Sequence, residues 1–186
     1  KVSVIDVDNF LDGTQGDILL IQFELPLDTL WHAIEVAKKK KMTVVVNPAP
    51  AKEIPDEILK KIDYLVLNQS ESELLTKIYP ESQDECKSVI NVLRKYGVKN
   101  IIITLGKEGA YYAVDNLKGL IPTIAVDVVD TTGAGDTFIG MLVFGLWKGN
   151  EIREIIEYSV VAGALACTKE NAHDYVPTLR EIEEAL

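Results

Sequence analysis

The chain has 186 residues, 47% of them hydrophobic and 26% charged, and 19 Lys and Arg against 29 Asp and Glu leave a formal charge of −10. Such a composition supplies a sizeable core, excludes a disordered or fibrous sequence, and at this length predicts one domain, 1–186. The acidic balance, with no basic run beyond the lysines at 38–41, argues against a protein whose task is to hold nucleic acid or an anionic membrane.

In chain order, residues 17–23 (DILLIQF) are a continuous apolar run of strand length. Residues 28–41 place Leu30, Ile34 and Ala37 at helical spacing and end in lysines that suit the helix dipole, and 42–46 (MTVVV) form a second strand. The pattern continues with a short helix at 56–61, a strand at 63–67 (DYLVL), helices at 71–78 and 84–96, and a strand at 100–104 (NIIIT). Buried apolar strands alternating with helices imply a parallel sheet covered on both faces. Two further runs, 110–114 (AYYAV) and 120–126 (LIPTIAV), joined by the turn-like 115–119, predict a hairpin at one side of the sheet. Helices over 134–148, 151–168 and 178–186 finish the chain, with Gly149-Asn150 a stop and Pro177-Thr178 a restart.

Cys86 and Cys167 make no disulfide framework and read as reduced thiols of a cytoplasmic protein. No apolar run reaches the about 20 residues that a membrane span needs, and no charged-then-apolar leader opens the chain, which starts at Lys1. His32, in mid-helix, and His173, in a polar loop, lack partners at metal or triad spacing and read as surface residues. Trp31 and Trp147 read as core or helix-face packing.

The segment richest in chemistry is 129–140 (VDTTGAGDTFIG), between a strand and an apolar helix. At Gly133, Ala134 and Gly135 nothing larger than a methyl group shields consecutive backbone N–H groups, and the helix start points its unpaired donors and positive dipole end at one spot, as phosphate oxygens require. Asp136 follows, placed to accept a proton from an attacking hydroxyl. The same residues also read as a plain helix start, with glycines for tight packing and Asp136 as part of the cap. The segment is neither a Walker loop, since no Lys-Ser/Thr follows, nor the GxGxxG fingerprint. Asn68-x-x-Glu71 and Ser70-x-x-Glu73 read as capping boxes or as acids with a further task. Asn47-Pro48 is by itself a turn, Thr104-Leu105-Gly106 a strand end with a turn, and Glu24 a lone acid after a strand.

Taken together, these pieces resemble the signatures of the ribokinase-like (PfkB) carbohydrate kinases, in that family's order. Residues 129–140 (VDTTGAGDTFIG) resemble its second signature, 47–51 (NPAPA) with Pro55-Asp56 its NPAPA…LPD stretch, 68–71 its NxxE motif, 104–109 its TLGxxG nucleotide loop and 22–26 (QFELP) its QxExP. The NPAPA form resembles the ribose-phosphorylating branch more than the fructose or adenosine branches, and the likeness spans about residues 17–186.

The resemblance implies a three-layer α/β/α fold with a mostly parallel sheet, lacking the amino-terminal strands and β lid of complete members, which are longer. It implies ATP-dependent phosphorylation of a sugar's primary hydroxyl, D-ribose to ribose 5-phosphate, with Asp136 as base and Gly133, Ala134, Gly135 and Asp136 as the anion hole. Asn68 and Glu71 would organise Mg²⁺, largely through water, and Asn68 with Thr104, Leu105, Gly106, Lys107, Glu108, Gly109 and Val160 would hold the nucleotide. Glu24 and Asp136 would face the sugar. Asp130, Thr132, Cys167, Glu170 and Ala172 would hold a monovalent cation such as K⁺, although Asn171 and Tyr175 stand where the family has glycine and serine. The partners implied are a sugar and ATP, with self-association or pairing with a missing amino-terminal part, and the 186 residues alone are expected to turn over poorly. A non-catalytic nucleotide-binding module, or a relative acting on another sugar or a nucleoside, are the other readings open at this point.

Overall fold

The computed structural model describes residues 2–14, 16, 18–170 and 175–186. Six strands are hydrogen-bonded in the order β1-β2-β3-β4-β5-β6, giving a mostly parallel sheet in a three-layer α/β/α arrangement. The chain divides into two compact units, Lys1–Ile103 with Ala113–Lys118, and Thr104–Tyr112 with Gly119–Leu186.

The first unit opens with α1 (Val4–Asp12), an element without a counterpart in the sequence-based expectation. Leu11 is its single buried residue, so no apolar stripe announces it, and it is fixed instead by a capping box between Ser3 and Asp6. Then come β1 (Ile18–Gln22), α2 (Leu27–Lys39), β2 (Thr43–Asn47), α3 (Asp56–Leu59), β3 (Tyr64–Leu67), α4 (Gln69–Thr76), α5 (Gln83–Lys95) and β4 (Asn100–Thr104). β1 to β4 pair in parallel, with Ile21 opposite Val46 and Leu65 opposite Ile101. Val44, Val45 and Val46 in β2 and Ile101, Ile102 and Ile103 in β4 are fully buried, because a parallel sheet covered on both faces leaves neither side chain direction open to water. Asp63 ties α2 to the sheet: its carboxylate accepts from Lys38 Nζ at 2.6 Å and from the Val44 N–H at 2.8 Å. The lysine run is therefore more than a charged helix end.

The hairpin consists of β5 (Ala110–Val114) and β6 (Leu117–Ile121), and its turn is two residues, Asp115 and Asn116, rather than the expected 115–119. Asp115 takes φ 50°, the left-handed conformation that such short turns need. β6 starts earlier than expected and stops at Pro122, which has no N–H to continue a ladder.

In the second unit α6 (Ala134–Lys148) packs on α7 (Ile152–Ala166), and α8 (Leu179–Ala185) lies on α7 through Val161, Ala162 and Ile182. Trp31 meets Phe23 edge to face at 5.3 Å, but Trp147 is 58% exposed beneath the Lys148 ammonium, so its expected packing role holds only for a solvent-facing helix surface. His32, read as a bare surface residue, is half-buried and pairs with Asp8 of α1 at 2.6 Å. His173 lies outside the described residues. Both cysteines are free, Cys86 buried and Cys167 half-buried. No helix among the described residues is long and apolar enough to cross a membrane.

Candidate functional site

In the first unit the carboxyl ends of β1, β2 and β3 bring the polar residues together. Gln22 is the last residue of β1 and stands opposite Asn47, the last of β2. Gln22 Nε2 donates to Asn47 Oδ1 at 3.1 Å, and Asn47 Nδ2 donates to the Val66 carbonyl at 3.1 Å and to Glu71 Oε2 at 3.3 Å. Asn68 caps α4: its Oδ1 accepts from the Glu71 N–H, while its own N–H and Nδ2 donate to Glu71 Oε2 and Oε1 at 2.8 and 3.0 Å. The capping-box reading of Asn68 and Glu71 is thus realised, whereas Ser70 and Glu73 form no such box. Glu71 is only 3% exposed. Burial pushes its carboxyl up from the usual range, and the donors from Asn68 and Asn47 act against that push.

Glu24 is exposed in the turn after β1. That turn is laced to the NPAPA segment, where the Phe23 N–H donates to the Ala49 carbonyl at 2.7 Å and Lys52 Nζ to the Phe23 carbonyl at 2.9 Å.

In the second unit the loop after Thr104 closes on itself. The Leu105 N–H donates to the Gly109 carbonyl at 2.8 Å, and a 3₁₀ turn, Gly106–Glu108, leaves Gly106, Lys107 and Glu108 exposed. Gly109 has φ 96°, and a Cβ there would lie 2.0 Å from the Ile121 carbonyl oxygen, so only glycine fits.

The GAGD segment forms the start of α6. Gly133 is its N-cap at φ 76°, so the cap makes no side-chain bond, and Asp136 lies exposed in the first turn. A left-handed residue here turns the chain sharply into the helix, where the Ala134 N–H donates to the Thr131 carbonyl at 3.3 Å. Beside it lies a cavity of about 580 Å³ lined by Gly133, Asp136, Thr137, Gly140, Phe144 and Pro177 among others. The α6 members recur at helical spacing on one face, a pattern that the sequence also carries.

Of the residues linked to a monovalent cation, Asp130 Oδ1 accepts from the N–H and hydroxyl of Thr132 at 2.9 and 2.8 Å, which holds its carboxyl below the usual range. The Cys167 carbonyl accepts from the N–H groups of Val129 and Asp130, at 2.8 and 3.2 Å, so both its lone pairs are engaged within the chain. Glu170 is exposed, and Ala172, with Asn171, lies outside the described residues. Val160 is 5% exposed within α7. Among the described residues no group of three His, Cys, Asp or Glu side chains is gathered as a metal site. Asn68 and Glu71 instead supply an amide and one carboxylate already holding three protein N–H bonds, a donor set suited to a hydrated cation brought in by phosphates rather than to direct ligation.

Residues 8–179 match the pfkB family carbohydrate kinase pattern. The chain is 38% identical over 181 residues to the ribokinase of Staphylococcus aureus, covering 96% of this chain and 60% of that protein. It is 36% identical over 172 residues to the ribokinase of Haemophilus influenzae, covering 92% of this chain and 56% of that one. The chain therefore spans three fifths or less of the length of these relatives. Among solved structures it resembles Arabidopsis thaliana ribokinase complexed with ribose and ATP, with a TM-score of 0.86 at 26% identity over 98% of this chain and 57% of that one.

Proposed function

The chain belongs to the pfkB family of carbohydrate kinases, and from that membership we propose that the protein containing it transfers the γ-phosphoryl group of ATP to the primary hydroxyl of D-ribose, giving ribose 5-phosphate and ADP. The observation that carries this reading is the start of α6, where Gly133, Ala134 and Gly135, none with a side chain beyond a methyl, precede Asp136 beside a cavity. The sugar oxygen bonds to the γ-phosphorus as the bond from that phosphorus to the β-phosphate oxygen breaks, and the hydroxyl proton passes to Asp136. The amides of Gly133, Ala134, Gly135 and Asp136 receive the charge carried by the phosphoryl oxygens, fixed dipoles that need no reorganisation as the reaction proceeds.

The loop of Thr104, Leu105, Gly106, Lys107, Glu108 and Gly109 is assigned to the nucleotide, with Val160 behind the adenine, and Glu24 to the sugar. Asn68 and Glu71 would hold the water around Mg²⁺, which when bound neutralises charge on the phosphates. A ribokinase II-like protein of E. coli, 25% identical, forms a complex with ATP and Mg²⁺, which supports ATP and Mg²⁺ as the ligands. A monovalent cation beside Asp130 and Thr132 would steady the turn into α6; the engaged Cys167 carbonyl makes that oxygen the weakest member of the set.

Asp136→Asn in the protein tests the reading. Turnover is expected to fall by about 10²–10⁴-fold, the usual worth of a positioned base, with nucleotide affinity nearly unchanged. Equal loss of both would make Asp136 structural. The 186 residues by themselves are expected to turn ribose over poorly, since only Glu24 and Asp136 are assigned to the sugar; a coupled assay showing turnover comparable with intact relatives would reverse that expectation.

A further inference from the structure

Among the described residues three capping boxes close the amino ends of helices, and one of them takes an extra donor from a distant strand. Ser3 with Asp6 is an exposed local pair complete within three residues, and Thr178 with the half-buried Glu181 adds only the hydroxyl of nearby Tyr175, at 3.2 Å. The Asn68–Glu71 box is complete in the same way, yet its carboxylate is buried and also accepts from Asn47, 24 positions earlier on another strand. Capping α4 does not require that third bond.

The orientation of Asn47 is forced. Its two amide hydrogens go to the Val66 carbonyl and to Glu71 Oε2, both acceptors only, while its Oδ1 receives Gln22 Nε2, a donor only. A flipped amide would set oxygen against two oxygens and nitrogen against nitrogen. At 7% exposure water cannot stand in for a lost partner. The row Gln22, Asn47, Glu71 thus runs from the carboxyl ends of β1 and β2 to the first turn of α4, and Gln22 stands two residues before Glu24.

We propose that Asn47 is a positioning residue, which holds the Glu71 carboxylate in one orientation and, through Gln22, ties the end of β1 to it. The proposal rests on the reading above in which Glu71 orders water around the nucleotide's Mg²⁺. On that reading a carboxylate held on three sides presents its remaining lone pairs in one direction, whereas a side chain with only its local box can turn about its last torsion. A merely structural Asn47 would matter to folding and not to the metal.

The test compares the parent protein with Asn47→Asp and Asn47→Leu by calorimetric titration of ATP with EDTA and with Mg²⁺. The aspartate keeps the shape and the acceptor for Gln22 but turns the donor facing Glu71 into an oxygen; the leucine removes all three bonds. Both variants should lose about tenfold of the Mg²⁺-dependent gain in ATP affinity, the lower end of the effect of outer-shell partners on metal affinity, while affinity in EDTA stays within about twofold of the parent's. In steady state the Mg²⁺ concentration for half-maximal rate should rise by a similar factor with the KM for ribose unchanged. If the Asn47 variants do not fold, Gln22→Met, on the half-buried end of the row, should give a smaller shift in the same direction.

A folded variant with the parent's Mg²⁺ dependence, or equal loss with and without Mg²⁺, overturns the positioning role and leaves the kinase reading standing. A parent protein whose ATP affinity does not respond to Mg²⁺ overturns both.

Discussion

Gly163 of α7 lies tight against Ala134 of α6: a methyl on Gly163 would lie 3.1 Å from the Ala134 carbonyl oxygen, which would have to give by a few tenths of an ångström, and 3.5 Å from Phe138 Cβ. The contact lets the first turn of α6, which carries the GAGD segment, rest directly on α7. Farther along the same pair, a methyl on Gly145 would come within 2.8 Å of Ile155 Cγ1. Two glycines on opposite helices therefore set how closely α6 and α7 approach.

Overpacking such a contact costs about 1–3 kcal/mol, so Gly163→Ala should lower the free energy of unfolding by that order even though alanine is the better helix former. Because the strain falls on the Ala134 carbonyl, turnover should drop more than nucleotide affinity does. Urea unfolding and steady-state kinetics on one preparation check both. Unchanged stability would mean that α6 moves away freely, and the shared contact would then have no part in shaping its first turn.

The exposed cap of α8 should respond to acid. Glu181 accepts from the N–H and hydroxyl of Thr178, both at 2.7 Å, and these bonds hold its carboxyl below the usual value of 4.5. A depressed native pKa means that the unfolded chain takes up the proton first, so the contribution is present above the unfolded value and is lost as pH falls through the lowered one. Protection of the α8 amides, taken relative to the intrinsic exchange rate at each pH, should fall on acidification, and in Glu181→Gln it should be lower at neutral pH and nearly independent of pH in the acid range. An identical acid response in both proteins would assign the effect to another group.

β1 stands at one end of the strand order, with Leu20 at 41% exposure, while Phe10 of α1 is 72% exposed. An unpaired strand edge beside apolar side chains invites another strand. The isolated 186 residues should self-associate with rising concentration, and Leu20→Lys should weaken that association, both read by light scattering. A monomer at all concentrations would show that the edge is already protected.

The sheet was legible because parallel strands buried on both faces read as unbroken apolar runs, as at Val44 to Val46 and Ile101 to Ile103. Helix α1 was not, because burying Leu11 alone leaves no periodicity to detect. β6 ends at Ile121, short of the apolar residues that follow Pro122, because the proline has no N–H to continue the ladder. For the site, the segments 68–71, 104–109 and 133–136 carried motifs and could be found by spacing. The bond from Asn47 to Glu71 could not: it depends on strand register, which sets Gln22 beside Asn47 and leaves no trace in sequence spacing.

Gly135, the second residue of α6, separates the two readings of the GAGD segment. A Cβ added there meets nothing within 4 Å, so the chain has room for alanine. If the glycine serves the helix start alone, Gly135→Ala should be neutral or favourable, since replacing glycine in a helix by alanine typically gains about 0.5–1 kcal/mol. If its amide receives the transferred phosphoryl group, the same open space is where that group must come, and a methyl would stand in its path. The expected result is a protein whose thermal midpoint is unchanged or raised and whose kcat falls by about 10²-fold, comparable with loss of one donor from an oxyanion hole. Thermal unfolding and kcat measured together decide it, because stability and turnover moving in opposite directions cannot come from a packing role.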